Sequence, residues 1–342
     1  MKLSRRRFVA TTALGALGTI VGSYFLTMST RRMNAAGTQS GSAEVFVIKT
    51  SDRHVGVRRL LSQFNLADYH GKTVALKPNF NSADPFPAST HIETLGTLVE
   101  GLKQAGVSDL VLAERSGMGN TRKILEQTGV FNISDKLGFK VTVLDENDRD
   151  SWLKIAADGT HWLNGFYIPK LFLAADKVVQ TCCLKPHRFG GHFTMSLKNS
   201  IGLVAKQVPG ELYDYMLGLH TSPYQRLMIA EVNPFYNVDL VVMDAIQAFV
   251  SGGPERGDLV EPNLMLASRD RVAIDAVGIA ILRSYGSTKE VTDGNIFDLE
   301  QIRRAVELGV GVNSPSRIKL IPLNDESVDD AKKMERVLKS QG

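Results

Sequence analysis

Ala175-Asp-Lys-Val-Val-Gln-Thr-Cys-Cys183 runs into Leu184-Lys185-Pro-His187-Arg-Phe-Gly-Gly-His192-Phe-Thr-Met-Ser-Leu-Lys198-Asn199. The first half is a short apolar run, which reads as a buried strand. The second half is polar and contains glycines, which reads as a loop leading into a helix that continues through Ser200-Ile-Gly-Leu-Val204. Open α/β sheets place their sites where a strand hands over to such a loop. Two lysines, two histidines, an arginine and an asparagine fall within one loop and one helical turn, and no acid lies between Lys185 and Asn199. That predicts a local positive field containing titratable imidazoles. The competing reading is a solvated basic loop. Pro186 and the Gly190-Gly191 pair, which shape the backbone, favour a site.

Moving outward, strand and helix signals alternate. Glu44–Lys49, Thr73–Phe80, Asp109–Glu114, Phe139–Leu144, Val238–Asp244, Asn263–Ser268 and Arg317–Pro322 read as strands. Arg58–Leu66, a segment opening at Ser89 or Thr90 as N-cap, one from Arg122, Arg226–Glu231 and Val272–Leu282 read as helices. Trp152–Ile168 reads as a short β excursion. This alternation predicts an α/β fold, mainly a parallel or mixed sheet with helices on both faces. Residues 44–342 are expected to form one such domain, preceded by a Gly/Ser linker over 37–43.

The chain has 342 residues, 43% hydrophobic and 22% charged, an ordinary globular composition. Its net charge is +4, but residues 1–36 carry Lys2, Arg5, Arg6, Arg7, Arg31 and Arg32 and no acid; removing that +6 leaves −2. A mildly acidic body gives no reason to expect a nucleic-acid partner. Ser4-Arg5-Arg6-Arg7-Phe8-Val9 and the weakly hydrophobic run Ala10–Met28 resemble a twin-arginine (Tat) signal peptide. That resemblance implies the Tat translocase as a transient partner and a periplasmic or other extracytoplasmic destination. An uncleaved run is also about long enough to anchor in a bilayer.

Cys182 and Cys183 are the only cysteines, so this chain alone holds no iron–sulfur cluster or Cys-rich zinc site. They read as two buried thiols on opposite faces of a strand, or as a vicinal disulfide. Polar residues recur at the C-terminal ends of the strands: Lys77 and Asn79, Glu114, Lys185 and His187, and Asp244. In a parallel sheet those ends share one edge. His91, at a helix N-terminus, faces the same edge and is expected to be neutral there. His187 and His192 are candidate ligands for a divalent metal, with Asp244 or Glu114. Ser116–Thr121 reads as a turn, with a phosphate cradle as the weaker alternative.

Taken in order, Lys77-Pro-Asn79, Thr90-His91, Glu114-Arg-Ser-Gly117, Lys185-Pro-His187, Thr194-Met-Ser-Leu-Lys198-Asn199-Ser-Ile-Gly202, Val242-Met-Asp244, Gly252-Gly-Pro254 and Leu266–Gly278 resemble the domain of unknown function 362 family. The resemblance spans roughly residues 45–311. Pro186 stands where a small polar residue is usual, and Phe80 where an aliphatic one is. Many relatives carry an appended ferredoxin-like cluster domain, so electron transfer here would need a separate redox partner. The expected function is an exported enzyme acting on a small anionic ligand. Lys77, Lys185 and Lys198 would hold the anion, His91 and His187 would move protons, Asn79 and Asn199 would orient the substrate, and Asp244 would position a lysine or histidine. The alternatives are a non-catalytic solute- or metal-binding protein of the periplasm, or an accessory factor to exported redox enzymes.

Overall fold

The run Lys177–Cys183 is an interior strand of an eight-stranded sheet in a computed structural model that describes residues 41–341. The strands in chain order are β1 (Ala43–Lys49), β2 (Thr73–Lys77), β3 (Asp109–Glu114), β4 (Lys140–Val143), β5 (Trp152–Ile155), β6 (Phe166–Pro169), β7 (Lys177–Cys183), β8 (Lys185–His187), β9 (His192–Thr194), β10 (Leu240–Ala245), β11 (Ala248–Phe249), β12 (Leu259–Val260), β13 (Leu264–Ser268) and β14 (Ile318–Pro322). The principal sheet has the order β14-β1-β13-β10-β7-β2-β3-β4. β10, β7, β2, β3 and β4 pair parallel, as do β14 and β1; β13 runs antiparallel to both of its neighbours. The sheet is therefore mixed and mainly parallel, and the C-terminal ends of all its strands but β13 share one rim.

The longer helices, with the single turn α5 that bears on the site, are α1 (Arg53–Leu61), α2 (Ile92–Gln104), α3 (Thr121–Gln127), α4 (Val130–Leu137), α5 (Ser196–Asn199), α6 (Tyr215–Thr221), α7 (Gln225–Val232), α8 (Arg271–Ser284), α9 (Glu300–Glu307) and α10 (Val328–Gln341). Alternate strand residues face opposite cores, as the two-residue period requires. Val45, Val241, Met243 and Leu266 pack with the buried faces of α8, α9 and α10. Phe46, Leu240, Val242 and Met265 pack with α1 and α2. A third cluster lies beneath β2, β3 and β7, where Ala75, Ala113 and Val178 meet Trp152, Trp162 and Phe166. Cys182 and Cys183 are free, buried thiols, and burial raises both above the ordinary thiol range. Residues 41–341 fall in one compact unit, Gly41–Gly342.

Several expectations are corrected. The first helix spans Arg53–Leu61 rather than 58–66, because Asp52 caps it by accepting from the Val55 amide. His91, not Ser89 or Thr90, is the N-cap of α2; its Nδ1 accepts from the Glu93 amide at 3.3 Å. The stretch after Cys183 is a two-stranded hairpin, β8 against β9, followed by one helical turn and a 3₁₀ turn at Ser200–Leu203. Ala43 already belongs to β1, so the linker ends earlier than expected. The export-signal reading lies outside the described residues. Among those described, no helix is long and apolar enough to cross a membrane.

Candidate functional site

Lys77 and Glu114 end two adjacent parallel strands, which brings their side chains together at 2.7 Å with each only 1% exposed. A buried ion pair is tolerable only when its remaining hydrogen-bonding capacity is satisfied. Lys77 Nζ gives its other protons to Pro78 O at 2.7 Å and Asn199 Oδ1 at 3.2 Å. Glu114 accepts from the amides of Phe80 and Arg115 at 2.9 and 2.8 Å. Gly202 makes room for the pair: a Cβ there would stand 2.6 Å from Lys77 Nζ and 2.9 Å from Glu114 Oε1.

Lys185 is fully buried and donates to Asn79 Oδ1 at 3.1 Å, to Pro87 O at 3.3 Å and to Ala88 O. An ammonium has three protons, so Lys77 and Lys185 are both fully spent. Of the three lysines expected to hold the anion, Lys77 thus braces the wall of the site, and Lys185 supports it through Asn79. Asn79 and Asn199 belong to the same wall. Asn199 accepts from Lys77 Nζ and donates to Lys77 O and Thr181 O, and Asn79 Nδ2 lies 3.4 Å from Asn199 Oδ1.

Lys198 is different. It sits on α5, whose first amides, Ser196 N and Leu197 N, donate to the two carboxylate oxygens of Asp275 at 2.8 and 2.9 Å. Among the described residues no oxygen takes a hydrogen bond from the Lys198 amine. It is 9% exposed, and the charges acting on it are the cations Lys185 and Arg115. Burial, reinforced by those charges, lowers its pKa from 10.5 to about 7. His187 is buried, and its Nδ1 has no hydrogen-bond partner. Burial and the neighbouring Lys198 push its pKa well down, so the imidazole is neutral. A Cβ on Gly191 would lie 2.6 Å from Lys198 Cε and 3.0 Å from His187 Nδ1, so those two atoms are at most 5.6 Å apart.

Lys77, Asn79, Glu114, His187, Lys198 and Asn199 line one cavity of about 260 Å³, together with Arg115, Thr194 and His220. Arg115, His220 and Thr194 were not among the expected site residues. Arg115 directly follows Glu114 at a strand end, a signal present in the sequence; His220, on α6, follows a stretch with no motif. Arg115 is 2% exposed, with Nε unpartnered and its terminal nitrogens on Ser116 O and Ile201 O. The His220 Nδ1 lies 2.7 Å from Met216 O, which fixes the proton on that nitrogen and leaves Nε2 as an acceptor.

Lys185, His91 and Asp244 do not line this cavity. His91 lines a second one of about 390 Å³ with Arg53 and Phe86. Its pKa is lowered, first by burial and then by Arg53, whereas the expectation had rested on the helix N-terminus. Asp244 takes Arg53 Nε at 2.9 Å and Thr94 Oγ1 at 2.6 Å; it holds an arginine, not a lysine or histidine. His192 faces His187 across the hairpin but does not line the cavity. Among the described residues no group of three or more His, Cys, Asp and Glu is placed to hold a metal. The reason is local: Glu114 is consumed by Lys77, and Asp244 by Arg53 and Thr94. The Ser116–Thr121 stretch is a cap, with Asn120 Oδ1 accepting from Lys123 N.

The architecture and the rim cavity define an α/β protein whose polar pocket sits at the carboxyl ends of parallel strands. The chain belongs to the family described as Domain of unknown function (DUF362), whose model matches residues 74–280, from β2 into α8 and across every residue of the cavity named above. No curated protein matches the chain. Among solved structures it is similar to the lactate racemase apoprotein from Thermoanaerobacterium thermosaccharolyticum, at 20% identity and TM-score 0.38 over 61% of this chain and 51% of that one. It is also similar to a structural-genomics target protein from Thermotoga maritima, at 10% identity and TM-score 0.36 over 61% and 54%. The chain thus spans about half the length of each.

Proposed function

We propose that the protein is an enzyme acting on a small anionic metabolite bound in the rim cavity. The observation that carries this reading is a surplus of buried cations. Arg115 and Lys198 line the cavity, both at least nine-tenths buried, and neither forms a salt bridge among the described residues. Buried charge without a counter-charge is costly, and an anionic ligand would supply one. Arg115 acts as its charge partner, joined by Lys198 while that amine is protonated, and the neutral imidazoles of His187 and His220 accept and return protons. Lys77, Glu114, Asn79 and Asn199 form the interlocked wall that keeps these groups in place, and Lys185 supports it through Asn79.

Thermal-shift and calorimetric titration with a panel of small carboxylates and phosphate monoesters tests the reading. At least one anion is expected to bind, and Lys198→Met to weaken it tenfold or more. Unchanged binding and turnover in both Lys198→Met and His187→Asn would sink it. The Ser4–Val9 pattern supports delivery across the cytoplasmic membrane by the twin-arginine route. Fractionation of a bacterial host decides this: Arg5→Lys/Arg6→Lys is expected to hold the protein in the cytoplasm, and its undiminished recovery outside would refute the route.

A further inference from the structure

We propose that Lys198 is a covalent catalyst whose Nζ condenses with the carbonyl group of a small oxo acid to form an imine. This deepens the anion-site reading and rests on it. Three features of the site carry it. First, Lys198 is the uncommitted amine: Lys77 and Lys185 each have three oxygens for three protons, and Lys198 has none among the described residues. Second, the helical turn that carries it is held by the two Asp275 hydrogen bonds, and Lys198 lines the cavity. Third, His187 Nδ1 lies within 5.6 Å of Lys198 Cε and is unpartnered, while Arg115 supplies a buried guanidinium for a carboxylate.

A lysine is a nucleophile only when its ammonium has lost a proton, and desolvation beside other cations brings this about near neutrality. Burial, Lys185 and Arg115 act on Lys198 in that direction. The oxo acid follows from the charges. An iminium would add positive charge to a site already rich in it, whereas a substrate carboxylate next to the imine offsets that charge.

The step balances without a redox partner. The Nζ lone pair attacks the carbonyl carbon, the C–N bond forms, and the C=O π pair moves to oxygen, which takes a proton and gives a carbinolamine. That oxygen then leaves as water while the nitrogen lone pair forms C=N. The two protons lost from the neutral amine depart in that water, with His187 relaying them. One water is released per imine.

The test is borohydride trapping with pyruvate, glyoxylate and 2-oxoglutarate as probes, read by intact mass and peptide mapping of the full chain. The expected result is one reduced adduct per chain, on Lys198, forming faster as pH rises through about 7 and at least tenfold less in Lys198→Arg. Mapping on the wild-type protein keeps the test independent of whether the variant folds. If a 2-oxo acid and its non-carbonyl counterpart (pyruvate and propionate) both raise the melting temperature but no adduct forms, the imine is refuted and the anion site stands. If neither binds nor labels, both fail. Label scattered over exposed lysines, or undiminished in Lys198→Arg, also overturns the proposal.

Discussion

Three lysines reach the same rim, and only their acceptors tell them apart. Lys185 is closed off by Pro87 O and Ala88 O, nearly a hundred residues earlier in the chain, so no spacing rule could distinguish it from Lys198. Sequence marked Lys77, Asn79, Glu114, His187, Lys198 and Asn199, which share the cavity because strand ends in a parallel ladder coincide, and also Lys185, His91 and Asp244, which do not line it. It could not assign roles, because these depend on which carbonyl oxygens the folded loops supply. The linkage for Lys198 runs in one direction. With its pKa at about 7 in the fold against 10.5, both states are protonated below pH 7 and the folded chain bears the full cost of burying the charge. As pH rises from about 7 to about 10, the folded state sheds its proton first and the cost fades. Lys198→Met is therefore expected to stabilise the protein by about 1–3 kcal/mol below pH 7, a gain that shrinks towards pH 10. Urea unfolding across that range measures it, and a pH-independent gain would contradict it. Lys77→Met should do the opposite, costing about 3–5 kcal/mol by stranding Glu114, with Lys77→Met/Glu114→Leu recovering much of the loss. Equal losses in the single and double variants would show that the pair is not the source.

At the scale of elements, the apolar strands were readable because each is a short hydrophobic run bounded by turn residues. The hairpin β8–β9 was not: three-residue strands carry no usable period, and Lys185-Pro-His187 looks like loop until its neighbours bury it. The same holds for α5. A four-residue helix cannot nucleate on its own, and its start is fixed by Asp275, more than seventy residues later on α8. Burial pushes the Asp275 pKa up to about 7 while the two amides pull it down. Asp275→Ala is expected to cost about 2–4 kcal/mol, because it leaves two buried N–H groups without acceptors. It should also slow borohydride labelling at Lys198 by loosening α5. Asp275→Asn, which keeps one acceptor, should fall between wild type and Asp275→Ala in denaturation midpoint. On the other side of the rim, Asp244 ties α1 to α2 through Arg53 and Thr94, which explains why an acid at a strand end here is a brace.

At the scale of the whole molecule, the alternation of strands and helices predicted the class of fold, and the structure adds the reversed strand β13 between β1 and β10. β1 pairs Val45 with Ser268 on one side and with Leu320 on the other. Both partners lie more than two hundred residues downstream, which no local pattern announces. Deleting residues 318–342 removes β14 and the α10 side chains Met334 and Leu338 from the core. The shortened chain is expected to lose its cooperative thermal transition, as seen by circular dichroism; an unchanged melting temperature would contradict this. The seating of β1 also imposes an order on biosynthesis. One edge of β1 stays unpaired until β14, the last of the described strands, has emerged, so an interrupted translation product offers proteases a naked edge.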